Sequence, residues 1–167
     1  MKQQCNYLLI DGAKALSRLS LLTDSGVKFE CLYKGKPASS LAKLAPYLFE
    51  YNATSQLATI FKELGWGNAW GIPLTAPVEF IELYSHFRRF LMVQTEDFKQ
   101  LYFRFYDPRV LREFLPTCQP DQLKDFFGPV EGFICEDEDL GNGLIYSLKE
   151  RKLKVERRSQ KDLFDLI

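Results

Sequence analysis

Histidine is nearly absent from this sequence: His86 is the single one. That leaves little material for acid–base chemistry at neutral pH. Cysteine is sparse and scattered, at positions 5, 31, 118 and 135, with no Cys-x-x-Cys pair. Zinc and dithiol motifs need close pairs, so reduced, mostly buried thiols of a cytosolic protein are expected instead. Charge of one sign is not in excess, because 22 lysines and arginines meet 22 aspartates and glutamates. Nothing global therefore draws the chain to nucleic acid or to an anionic membrane. No apolar run approaches the roughly 18 residues of a membrane span, and none follows a basic start as in a signal peptide. The glycine signatures of phosphate and dinucleotide sites are missing, as is the Gly-x-Ser-x-Gly elbow. A cytoplasmic protein with no cofactor, no metal, no nucleic-acid partner and no membrane partner is the expectation.

Aromatic residues are what the sequence has in quantity: 14 phenylalanines, eight tyrosines and two tryptophans among 167 residues. They serve cores and protein interfaces alike. Strands are expected at Tyr7 to Ile10, Val27 to Tyr33 (ended by Gly35 and Pro37), Pro46 to Tyr51, Ala69 to Leu74 and Phe133 to Cys135. A hairpin is expected from Phe90 to Thr95 and Gln100 to Tyr106, with Tyr102, Arg104 and Tyr106 on one face. Another is expected from Leu144 to Leu148 and Leu153 to Val155, turning near Arg151. Apolar residues at helical spacing mark helices through Leu16–Leu22, Leu57–Leu64, Phe80–Leu91, Leu111–Leu115 and Leu123–Phe127. The expected starts are Asp11, Thr54, Pro77, Asp107-Pro108 and Pro120, and Gly65 is the expected left-handed stop of the second helix. The tail to Ile167 reads as a short helix. This pattern predicts an α+β, mixed α/β fold: one compact domain of short helices on a mixed or mostly antiparallel sheet with a C-terminal hairpin. Residues 1–140 form its body, and residues 141–167 are a hairpin and tail of the same domain.

Four features invite a functional reading. His86 follows Glu82 by one helical turn, which a surface pair explains. The acidic run Glu136-Asp137-Glu138-Asp139 lacks the alternating ligands of a calcium loop and reads as a solvated turn or a patch for a basic partner. Trp66 and Trp70 lie among Gly65, Gly67 and Gly71, reading as a packed helix-to-strand turn or as anchors for a partner. Arg104, Asp107 and Arg109, with Arg112, form the densest polar cluster inside apolar sequence. Anion binding, a partner's carboxylate or an internal Arg–Asp brace all fit it, and the brace is favoured because buried charge must be paired. The basic tail after Arg151 lacks the aromatic platform that nucleic acid would need.

The run Leu101-Tyr102-Phe103-Arg104-Phe105-Tyr106-Asp107-Pro108-Arg109-Val110-Leu111 resembles the adaptor-chaperone domain of type VI secretion. His86-Phe87-Arg88-Arg89-Phe90-Leu91-Met92-Val93 precedes it and Leu115-Pro116-Thr117-Cys118 follows. Leu9-Ile10-Asp11-Gly12-Ala13, Ala45-Pro46-Tyr47-Leu48, Gly65-Trp66-Gly67, Trp70-Gly71-Ile72 and Phe127-Gly128-Pro129 extend the resemblance, in order, from about Leu8 to Asp139. It implies a cytoplasmic binding module, not an enzyme. Such a module grips a toxic effector by its N-terminal region and helps load it onto the VgrG spike. Many members carry a further helical lobe, for which a chain ending at Ile167 leaves little room. Two other readings remain: a small hydrolase or phosphate-ligand enzyme built on the arginine cluster with His86 or the acidic run, and an immunity protein that blocks a toxin.

Overall fold

The computed structural model describes residues 5–33 and 43–167. The expected stop at Gly35 and Pro37 lies outside the described residues. Among the described residues, nine strands and six α-helices follow one another: β1 (Cys5–Asp11), α1 (Leu19–Thr23), β2 (Phe29–Cys31), β3 (Pro46–Glu50), α2 (Gln56–Ile60), β4 (Gly71–Ala76), α3 (Phe80–Arg88), β5 (Met92–Gln94), β6 (Gln100–Tyr102), α4 (Pro108–Phe114), α5 (Pro120–Phe127), β7 (Gly132–Glu136), β8 (Asn142–Lys149), β9 (Lys152–Ser159) and α6 (Gln160–Phe164). Seven strands form one sheet in the order β2-β3-β1-β4-β7-β8-β9, and β5-β6 is a separate hairpin. Every recorded pairing is antiparallel, in agreement with the expected α+β class.

Alternation along the strands divides the apolar residues between two faces. Tyr7, Leu9, Leu48, Ile72, Leu74, Phe133 and Tyr146 share one core with α3, α4 and α5. Leu8, Ile10, Tyr47, Phe49 and Ile134 share the other with α1, α2 and α6. The sheet is thus covered on both sides, which is why Tyr7–Ile10 of β1 and Phe133–Cys135 of β7 are continuous apolar runs instead of alternating with polar residues.

Local chemistry accounts for most boundaries. Asp107 caps α4 by accepting from Arg109 N, with Pro108 in the first turn. The helix tightens into a 3-10 turn over Leu115–Thr117, where Pro116 sits. Ser55, not Thr54, caps α2, since its hydroxyl accepts from Ala58 N while Thr54 N bonds to Asn52. Pro77 stands outside its helix, whose N-cap is Glu79. Gly65 ends a single π turn without a positive φ; the left-handed positions are Gly67 (φ 85°) and Ala69 (φ 55°). Gly65 is needed for space, because a Cβ there would lie 2.6 Å from the Phe61 ring. The expected long strand to Tyr106 stops at Tyr102, and Phe105 and Tyr106 turn inward instead. β8 and β9 turn through Glu150 and Arg151, both at positive φ, the backbone that a two-residue hairpin loop demands. β8 continues the main sheet against β7, and Leu163 of α6 packs into its second core.

β4 and β7 pair only at Leu74↔Phe133 and Thr75↔Gly132. The next β4 residue on that side is Pro73, which has no N–H to give the ladder. Polar side chains span the gap that follows.

Candidate functional site

The polar cluster lies where β1 ends. Asp11 closes an apolar strand and is 1% exposed. It caps no helix, since the next α-helix begins only at Leu19. One of its carboxylate oxygens accepts from Ala13 N at 2.9 Å, and the other accepts from the Arg104 guanidinium. Arg104 also approaches Asp107 at 3.9 Å. Asp107, equally buried, takes a two-pronged grip from Arg109: Nε to Oδ1 at 3.0 Å and Nη2 to Oδ2 at 2.7 Å. Asp11, Arg104, Asp107 and Arg109 therefore alternate in sign along one chain of contacts, tying the end of β1 to the start of α4. This is the brace. Burial works to raise the Asp107 carboxyl, but the hydrogen bonds and charge of Arg109, with the charge of Arg104, outweigh it and hold it below its ordinary value. The bond to Asp11 pushes Arg104 up.

A second strut stands beside the first. Arg112 donates to the Glu136 carbonyl at 2.5 Å. The Glu136 carboxylate accepts from Gly67 N at 2.6 Å and from Ala69 N at 3.1 Å. It thereby joins the far end of β7 to the turn before β4, across the gap left by Pro73. Burial raises its pKa, and the two backbone donors offset part of that. The acidic run is thus no uniform solvated patch: Glu136 points inward, and Asp137 pairs with Arg157 of β9 at 2.6 Å. No group of three or more metal-capable side chains occurs among the described residues.

Trp66 and Trp70 do not stand on the surface. They are 7% and 8% exposed and belong to the second core. Trp66 meets Phe164 edge-on at 5.1 Å, and its indole N–H donates to Leu140 O. Both indoles pack into that core, as the packed-turn reading expects.

His86 departs from the surface pair expected of it. It is 7% exposed, faces α5 and makes a 2.8 Å hydrogen bond with Phe126 O. Gly128 makes room for it, since a Cβ there would sit 2.3 Å from the imidazole. No surface pair with Glu82 is recorded, and no recorded contact joins His86 to Arg104, Arg109 or Arg112. Burial lowers its pKa, only partly offset by the bond to Phe126 O. The sign of the pH effect follows. A histidine depressed in the folded state favours folding above its unfolded pKa of about 6.5 and withdraws that stability as pH falls toward its folded value. Melting temperature is expected to decline from pH 7 to pH 5 in the parent and to decline less in His86→Gln. Equal slopes would show that His86 takes up its proton equally in the folded and unfolded states.

Three described cysteines are unpaired: Cys135 is buried, and Cys31 and Cys118 are half-buried. Among the described residues, no helix is long and apolar enough to cross a membrane.

Sequence reasoning missed one feature of the surface beside the brace. The hairpin β5-β6 projects with Leu101 and Tyr102 half or more exposed, Met92 and Val93 near two-fifths, and Phe98 at 81%. Under it runs a groove of about 410 Å³ walled by Phe90, Val93, Phe103, Phe114 and Phe126. The lack of strand alternation over residues 90–95 was the signal available.

No curated protein and no solved structure matches this chain. A family model described as a domain of unknown function, DUF4123, matches residues 6–125, which takes in Asp11 and the whole Arg104–Asp107–Arg109 brace. With most of its length matched, the chain belongs to the DUF4123 family.

Proposed function

We propose that this protein is an adaptor-chaperone of type VI secretion, binding a toxic effector through the effector's N-terminal region and helping to load it onto the VgrG spike. Membership of DUF4123, together with the Leu101–Leu111 motif that resembles those adaptors, carries the reading. The surface supports it. Exposed apolar side chains crowded on one hairpin, above an aromatic groove, suit a protein partner. The brace holds Arg104 next to the base of that hairpin, so it serves as scaffold for the contact. The hydrolase reading gains nothing from His86, whose ring is spent against Phe126 inside the core.

The test is capture from the native bacterium with the full chain as bait, read by mass spectrometry. Recovery of an effector or spike protein is expected. Recovery of neither, from cells shown to express both, overturns the proposal. Capture through the toxic domain instead of the N-terminal region would indicate an immunity protein. The double variant Leu101→Asp, Tyr102→Asp is expected to melt within about 0.5 kcal/mol of the parent, both sites being exposed, yet to lose capture.

A further inference from the structure

At the other end of β1 from the brace lies an open cleft of about 650 Å³. The start of β1, the end of β3, the segment entering β2 and the N-cap of α3 enclose it. Asn6, Gly26, Lys28, Glu50, Tyr51 and Glu79 stand in its wall.

Two observations point to a ligand. Among the described residues, Asn6 Oδ1 and Tyr51 Oη are the buried side-chain polar atoms without a hydrogen-bond partner. Tyr51 is only 6% exposed. Both belong to one rung of the sheet, for Tyr51 N donates to Asn6 O at 2.9 Å. Folded proteins leave few such groups unsatisfied, and two on one rung of a cleft call for a partner. Burial pushes the Tyr51 phenol up to about 12, so it is a neutral donor, beside the Asn6 acceptor. A peptide group carries the complement of both: a carbonyl for the hydroxyl and an N–H for the amide oxygen.

The second observation is charge. Among the side chains that line the cleft, two carboxylates, Glu50 and Glu79, stand with one ammonium, Lys28. Lys28 is already engaged, 3.7 Å from Glu50 and 4.6 Å above the Phe80 ring. Glu79 does not use its side chain to cap α3. One negative charge is left over.

We propose that this cleft binds a short polypeptide segment bearing a basic side chain, its backbone amide pairing with Asn6 and Tyr51 and its cation with Glu79. The inference does not rest on the adaptor reading.

The experiment uses the full chain and two probes, acetyl-Gly-Lys-Gly-amide and its glutamate counterpart, followed by amide chemical shifts and calorimetry. The lysine peptide is expected to shift the amides of Asn6, Gly26–Lys28 and Glu50–Asn52, and the glutamate peptide to leave them unmoved. Tyr51→Phe is expected to weaken binding about fivefold while raising the melting temperature of the free protein, because it removes a hydroxyl with no partner. Those opposite signs separate a ligand contact from a structural one. Glu79→Gln is expected to weaken the lysine peptide. Absence of shifts at the cleft, equal response to both peptides, or a lower melting temperature for Tyr51→Phe would overturn the proposal. Binding of n-butylammonium as tight as that of the lysine peptide would overturn its peptide part.

Discussion

Phe126→Ala is expected to lower unfolding stability by about 3–5 kcal/mol. The ring is 2% exposed and meets five others, those of Phe90, Phe103, Phe105, Phe114 and Phe133, at centroid distances of 5.2–6.2 Å. These partners come from the end of α3, the segment after β6, α4 and the central sheet. A cavity walled by separate elements cannot collapse without moving all of them, so the cost sits high in the usual range. The backbone of Phe126 also receives His86, so a shift of α5 would strand that imidazole. Urea unfolding measures the effect. A loss below about 1.5 kcal/mol would mean that the rings close over the vacancy and that Phe126 is no hub. Phe126→Leu, which keeps much of the volume, should recover more than half of the loss.

Arg104→Ala is expected to cost about 2–3 kcal/mol, less than the 3–5 kcal/mol of a fully buried pair, because the Arg104 side chain is 43% exposed. The penalty arises at Asp11. Its carboxylate is 1% exposed and would keep the Ala13 N–H but lose the guanidinium that neutralises it. Asp107 suffers less, since Arg109 holds it from two nitrogens. Combining Arg104→Ala with Asp11→Asn should therefore cost less than the sum of the single changes. The brace also predicts the direction of acid sensitivity. Asp107 is held low in the folded state, so its contribution is complete above the unfolded value of about 3.9 and disappears as pH falls through the lower folded one. If Arg104→Ala melts like the parent yet abolishes effector capture, Arg104 is an interface residue and not a brace.

The elements were readable because each carries its own local signal. The apolar run of β1, the Asp107-Pro108 start of α4 and the turn at Arg151 all lie where expected. The site was readable only by half. Asp107 and Arg109 are two residues apart, so their pairing follows from local spacing. Asp11 and Arg104 are 93 positions apart, and nothing local to either announces the other. His86 was misplaced, and the partners of the packed tryptophans stayed unseen, for one shared reason. Helical spacing and glycine neighbours describe a single element, whereas burial is decided by what packs on it. For His86 that is α5, brought close by Gly128; for Trp66 it is α6, nearly a hundred residues later.

Pro73 divides the sheet more deeply than its single missing N–H suggests. On one side stand β2, β3, β1 and β4; on the other stand β7, β8 and β9, and two residue pairs join them. The family match ends at residue 125, so the first group falls within it and the second beyond it. The Glu136 strut is then a latch across the interrupted ladder, between two groups of strands that share both cores. Amide protons of β9, at the edge of the sheet, are expected to exchange before those of β1 and β4 at its centre.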